Sequence, residues 1–296
     1  MKILITGVYG QLGSELTEII GDMKSEIGDI PEIYRDAEIT GVDIDTLDLS
    51  NTDDMAAFAA ENKSHPFDLI INCAAMTNVD ACETDNEAAL KGNAVAPRNI
   101  ARLAELHGSK LIHVSTDYVF DGQSNTPYRE WDLPAPVCVY GKSKWLGEKY
   151  VSENCPRAFI VRTSWLYGKK GNNFVRTIRK IASENESITV VKDQFGNPTN
   201  ANDLAHHLLK IGAGRDYGIY HVTGNGICSW HEFAEEIVRL SGLKCEVKPV
   251  TSEEFQRLAP RPAYSAMEHL MLRATIGDEM RDWKEALASY IKSLRA

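Results

Sequence analysis

Short apolar runs alternate along this chain with longer stretches in which apolar positions recur three and four apart. The runs lie at residues 2–6, 38–42, 69–73, 111–115, 159–163, 188–191 and 218–223. Each is about one strand long, and most are apolar at nearly every position, as in strands covered on both faces. Residues 11–20, 52–62, 86–106, 142–153 and 173–183 carry the helical period instead. Strand–helix alternation of this kind predicts an α/β fold, a doubly wound (Rossmann) parallel sheet with right-handed crossovers. Residues 21–37 interrupt the pattern with a polar excursion that reads as a surface insertion. The rhythm changes again after about Trp165. Pro, Gly and Asn gather at residues 193–200, and helical segments at 229–241 and 283–294 flank an irregular stretch with Pro260 and Pro262. We read a smaller C-terminal substrate lobe here. Residues 1–164 and 201–226 form the dinucleotide-binding domain; 165–200 and 227–296 form the lobe.

Composition narrows the class. The net charge of -10 argues against a nucleic-acid or anionic-membrane surface. No apolar run approaches the roughly 20 residues that span a bilayer, and the first strand run begins at residue 2 with no leader-like segment before it. Cys73, Cys82, Cys138, Cys155, Cys228 and Cys245 show no metal-ligand spacing. Free, buried thiols suit a reducing cytosol, so a cytoplasmic protein is expected.

The first strand runs straight into Gly7-Val8-Tyr9-Gly10-Gln11-Leu12-Gly13, and a helix follows. Gly7 permits a tight turn, Gly10 lets the backbone approach a pyrophosphate, and Gly13 lets the helix pack close to its strand. The helix N-terminus, with Gln11 and Leu12, favours the anion through its free amides and dipole. Asp43 ends the second strand, where a carboxylate accepts bonds from the ribose hydroxyls of NAD and repels a 2′-phosphate. It lies later than the usual spacing by the length of the 21–37 excursion, and no Arg follows it. NADH is therefore the expected donor, with NADPH as the alternative. Asp48 and Leu49 are expected beside the adenine, and Cys73, Ala74, Ala75 and Thr77 along the cofactor after the third strand.

Tyr140 and Lys144 stand four apart at a helix start and so share one face. An ammonium beside a phenol lowers its pKa and makes a proton donor suited to neutral pH. The strand at 111–115 ends in Ser115-Thr116-Asp117, whose hydroxyl is placed to hold a substrate carbonyl beyond the sheet edge.

These residues resemble the extended short-chain dehydrogenase/reductase family, and within it the branch that reduces the 4-keto group of dTDP-linked deoxyhexoses. The likeness is carried by residues 7–16, 72–80, 114–122, 139–149, 162–168, 193–199 and 261–265. It implies hydride transfer from NAD(P)H to C4 of a nucleotide-linked keto sugar. Tyr140 protonates the forming alkoxide, Lys144 binds the nicotinamide ribose, and Thr116 orients the carbonyl. Asn93 matches the family's helix asparagine at the cofactor. Val79, Asp80, Asp117, Trp165, Arg261 and Ser265 look like substrate contacts, with Trp165 stacking on a ring and Arg261 reaching the diphosphate. Some members bind Mg2+ through an acid at the position of Glu15, at a homodimer contact; a solvated helix carboxylate is the plainer reading. Two rivals stay open. One is a nucleotide-sugar epimerase or dehydratase, although Tyr118 stands where a dehydratase carries an acid. The other is a non-catalytic regulatory subunit like that of methionine adenosyltransferase.

Overall fold

A computed structural model describes residues 1–294; the last two residues assigned to the lobe, Arg295 and Ala296, lie outside it. Six strands form one all-parallel sheet: β1 (Lys2–Thr6), β2 (Glu38–Val42), β3 (Leu69–Asn72), β4 (Lys110–Thr116), β5 (Ala158–Thr163) and β7 (Gly218–His221). Their order across the sheet is β7-β5-β4-β3-β1-β2. The chain runs outward from β1 to β2, then crosses back to lay β3 on the other side of β1. That reversal opens a crevice beyond the carboxyl ends of β1 and β3, where ligands of such sheets bind.

Both faces of the sheet are covered. Ile3 and Ile5 pack with Leu12 and Leu16 of α1 (Gln11–Asp22) and Leu204 of α7 (Ala201–Ala213). Leu4 points the other way, toward Ile100 of α4 (Ala96–His107) and Val151 of α5 (Val139–Asn154). Burial on two sides is why the central runs of β1 and β3 are apolar at nearly every position.

One expectation about the fold is corrected, that for residues 21–37. The run at 188–191 forms β6 (Ser187–Val191), which pairs in parallel with β8 (Glu246–Val250) outside the main sheet. Its Ser187 and Thr189 face outward and only Val190 is buried, the pattern of a strand covered on one side. The excursion at 21–37 is no surface insertion. It forms a short hairpin, Lys24–Ser25 with Gly28–Asp29, and sends Ile30 and Tyr34 into the core. The Tyr34 hydroxyl donates to the Leu209 carbonyl at 2.8 Å, which satisfies the one polar atom of that buried ring. The helix expected over 86–106 runs from Asn86 to His107, with a π-helical turn at Lys91–Val95 between Asn86–Leu90 and α4. Pro97 has no N–H to give the carbonyl four residues back, which belongs to Asn93, so the ladder opens there.

The lobe gathers α6 (Phe174–Glu184), α8 (Trp230–Ser241) and α10 (Trp283–Ser293) around Val175, Ile178, Phe233, Ile237, Leu287 and Tyr290. Between α8 and α10 the chain returns to the main core, where Leu272 of α9 (Leu270–Thr275) and Met280 are buried. Among the described residues, no helix is long and apolar enough to cross a membrane.

Candidate active site

A cavity of about 920 Å³ opens at the carboxyl ends of β1, β3, β4 and β5. Its first wall is the glycine loop. Gly7 takes a φ of 66°, and a Cβ there would sit 2.9 Å from the Ala74 nitrogen. A Cβ on Gly13 would collide with the Gly7 carbonyl. Gly10 caps α1 without a side chain, so the amides beside Gln11 and Leu12 face the cavity free to hold an anion. These features fit a dinucleotide pyrophosphate.

Asp43, Asp48 and Leu49 line the far end with Ile44 and Leu47. The Asp43 carboxylate accepts from the Tyr9 amide at 3.2 Å and from the Ile44 amide at 2.9 Å, so the backbone fixes its direction. Bonds from the Ser50 hydroxyl and amide hold Asp48 below the usual carboxylate range. Cys73, Ala74, Ala75, Thr77 and Val79 form the side wall. Burial pushes the Cys73 thiol up to about 12, which leaves it a neutral packing group.

Tyr140 and Lys144 enter from α5 and are both buried in the cavity wall. The helix starts tight against the turn after β4, because a Cβ on Gly141 would collide with the Tyr118 carbonyl. The Cys138 sulfur accepts from the Gly141 amide at 3.4 Å and caps the helix. Lys144 Nζ donates to the Val114 carbonyl at 2.6 Å. Burial pulls this ammonium down to about 8, against the opposing pull of Glu148. The phenol of Tyr140 does not follow the expected direction. Burial raises its pKa, the Thr116 hydroxyl opposes this, and Asp117 adds to the rise. Desolvation of the phenolate outweighs the ammonium, whose Nζ is turned to a backbone carbonyl.

Thr116 lines the cavity and gives its proton to Asp117 Oδ1 at 2.9 Å. Ser265 donates to the other Asp117 oxygen at 2.6 Å. Burial pushes Asp117 up to about 6, and the two hydroxyls restrain the rise. Asp117 is in the wall, whereas Ser265 stands behind it. Asp80 and Arg261 also stand behind the wall, paired at 3.0 Å, with the guanidinium over the Tyr118 ring. Arg261 Nη1 is buried with no hydrogen-bond partner among the described residues. Asn93 is not in the wall either. It exchanges bonds with the Met76 amide (2.8 Å) and carbonyl (3.0 Å) and donates to Ser143 Oγ at 3.0 Å, so it latches the loop after β3 to α5.

Trp165 adopts a φ of 46° and lies flat on Trp230, ring centroids 3.5 Å apart. Both indoles line the cavity. Sequence reasoning missed Trp230; the Ser229–Glu232 capping box, which puts it at the first helical position, was the available signal. Glu15 is not solvated. It is enclosed between α1 and α7, accepting from Asn202 at 3.0 Å with Lys169 at 3.8 Å. Among the described residues no group of three His, Cys, Asp or Glu is placed to hold a cation.

A parallel sheet, a glycine loop at its point of reversal and a buried Tyr–Lys pair in one cavity define the short-chain dehydrogenase/reductase class. Residues 1–296 match the family described as RmlD substrate binding domain. The chain belongs to this RmlD family, that of the dTDP-4-dehydrorhamnose reductases. It is 43% identical to a dTDP-4-dehydrorhamnose reductase of Clostridium acetobutylicum, with a TM-score of 0.92 and full coverage of both chains. It is 40% identical to the Bacillus anthracis enzyme of that name, solved in complex with NADP, with a TM-score of 0.90 and 99% of each chain covered. It is 38% identical to the spore coat polysaccharide biosynthesis protein SpsK of Bacillus subtilis, over 98% of this chain and 97% of that one.

Proposed function

We propose that this chain reduces the C4 keto group of dTDP-4-dehydro-L-rhamnose to dTDP-L-rhamnose, using NADH or NADPH, in nucleotide-sugar and polysaccharide biosynthesis. One observation carries the reading: Tyr140 and Lys144 share a cavity wall with the uncapped amides of the glycine loop. The bound nicotinamide supplies the hydride. The chain must bind the two partners, aim them and deliver a proton where the ketone oxygen gains charge. Gly7, Gly10 and Gly13 with Gln11 and Leu12 hold the pyrophosphate. Asp43, Asp48 and Leu49 hold the adenosine half, and Cys73, Ala74, Ala75 and Thr77 let the cofactor lie close to β3. Asn93 keeps that loop in place.

Tyr140 is neutral at working pH, so it acts as the proton donor to the forming alkoxide. Lys144 remains largely charged at neutral pH and holds the nicotinamide ribose. Thr116 orients the ketone by turning its proton from Asp117 toward the substrate, and Ser265 keeps Asp117 satisfied meanwhile. Val79 and the Trp165–Trp230 stack flank the sugar. The free Nη1 of Arg261, steered by Asp80, takes the diphosphate. A dehydratase needs an acid where Tyr118 stands, and burial drives that phenol's pKa up. Tyr140→Phe should lower kcat at least roughly 100-fold, with the circular dichroism spectrum unchanged. Near-normal turnover by that variant refutes the assignment.

A further inference from the structure

Beneath α5 lies a buried ion pair that the proposed chemistry does not use. Arg162 of β5 meets Glu148 of α5 in a two-pronged contact, Nη2 to Oε2 at 2.8 Å and Nε to Oε1 at 3.0 Å. Arg162 is 1% exposed and Glu148 4%. Such pairs rarely stabilise a fold, because desolvation of two charges offsets their attraction. Well-packed apolar residues would serve the core as well, so the pair calls for another role. Its position supplies one. Glu148 stands one helical turn beyond Lys144 on the same buried face, at the spacing where side chains are neighbours. Arg162 pairs in register with Ser115 of β4, one residue from the Val114 carbonyl that receives Lys144 Nζ.

We propose that Glu148, clamped by Arg162, is a positioning residue that keeps the Lys144 ammonium charged and aimed at the cavity. The groups facing Lys144 leave Glu148 to do this. On its own helix Tyr140 is a neutral phenol. After β3, Cys73 is a neutral thiol. On β4, His113 is fully buried and held in its neutral form, and its Nδ1 lies 3.0 Å from the Asn72 amide. Ser115 is uncharged, and Asp117 is occupied by Thr116 and Ser265. The guanidinium of Arg162 is itself fixed by more than Glu148. Its Nη1 lies 3.4 Å from His221 Nε2, and it sits over the Phe120 ring. The carboxylate so held cannot swing away from Lys144.

This inference rests on the reading of Lys144 as a catalytic residue, so its test includes a readout independent of turnover. The Lys144 side-chain amine is titrated by NMR in the wild-type chain, in Glu148→Gln, and in the double variant Glu148→Leu with Arg162→Met. Thermal unfolding and the pH profile of kcat are measured alongside. Loss of the carboxylate should lower the Lys144 midpoint by about one pH unit. The alkaline limb of the profile should fall with it, while the double variant unfolds at or above the wild-type temperature. Glu148→Asp, which keeps the charge, should restore much of the wild-type midpoint. An unmoved midpoint in a folded variant overturns the proposal. So does failure of both charge-removing variants to fold, which assigns the pair to structure alone. A midpoint that moves while the pH profile stays put upholds the electrostatic link and instead overturns the catalytic reading of Lys144.

Discussion

Asp43 is half-buried and held in place. Two backbone amides, one from the glycine loop and one from its own turn, direct its carboxylate over the far end of the cavity. A ribose 2′-hydroxyl can donate to the oxygen lone pairs that remain. A 2′-phosphate brings about two negative charges to the same place. Asp48 stands close by and is held ionised. Lys91 also lines this end but is engaged by Glu87 at 2.8 Å. We therefore expect kcat/KM for NADH to exceed that for NADPH by roughly tenfold, the effect of one like-charge contact worth about 1.4 kcal/mol. Asp43→Asn should narrow the gap from the NADPH side. Equal use of the two donors by the unaltered chain would remove the basis for this assignment of Asp43.

Helix α5 is seated by two close backbone approaches. Gly141 admits the Tyr118 carbonyl and Gly147 admits the Asn93 carbonyl, each at a distance that a Cβ would forbid. The first contact fixes the helix start against β4, and the second seats it on the π-turn that Pro97 opens. Gly141→Ala improves helix propensity by about 1 kcal/mol, so local helicity cannot suffer. It must instead push the helix away from the turn and carry Tyr140 with it. Displacement of about 1 Å costs on the order of 100-fold in rate, so single-turnover reduction should slow by that factor while the helical signal holds. A wild-type rate in Gly141→Ala would mean that the close approach is incidental.

The same helix shows where sequence reading stops. The Tyr140–Lys144 spacing is local and needs only the helical period, so it was legible. The glycine loop was legible for the same reason, because strand, turn and helix follow in one short stretch. The pairing of Glu148 with Arg162 crosses from helix to strand, and the stack of Trp165 on Trp230 joins two segments of the lobe. No periodicity marks such contacts. The lowered phenol pKa misled because spacing places Lys144 near Tyr140 but says nothing about the desolvation of both.

Across the whole molecule, the buried side chain of Asn173 links the first helix to the segment beyond Trp165. Asn173 caps α6 by accepting from the Arg176 amide at 3.0 Å. Its amide nitrogen lies 3.0 Å from Gln11 Oε1 and 3.0 Å from the Gly168 carbonyl. The hydroxyl of Tyr290, from α10, donates to that same carbonyl at 2.6 Å. Gln11 begins the helix that holds the cofactor, and Gly168 lies just beyond the Trp165 stack at the sugar side. The geometry of one ligand's site is thus tied to that of the other. Asn173→Ser separates this link from the cap, because serine caps a helix nearly as well as asparagine but is too short to reach Gln11. Loss of one such hydrogen bond, worth about 1 kcal/mol, should raise KM roughly fivefold for both the nicotinamide donor and the keto sugar. Unfolding should occur near the wild-type temperature. If KM rises for the donor alone, Asn173 supports only the glycine loop and the two lobes bind their ligands independently.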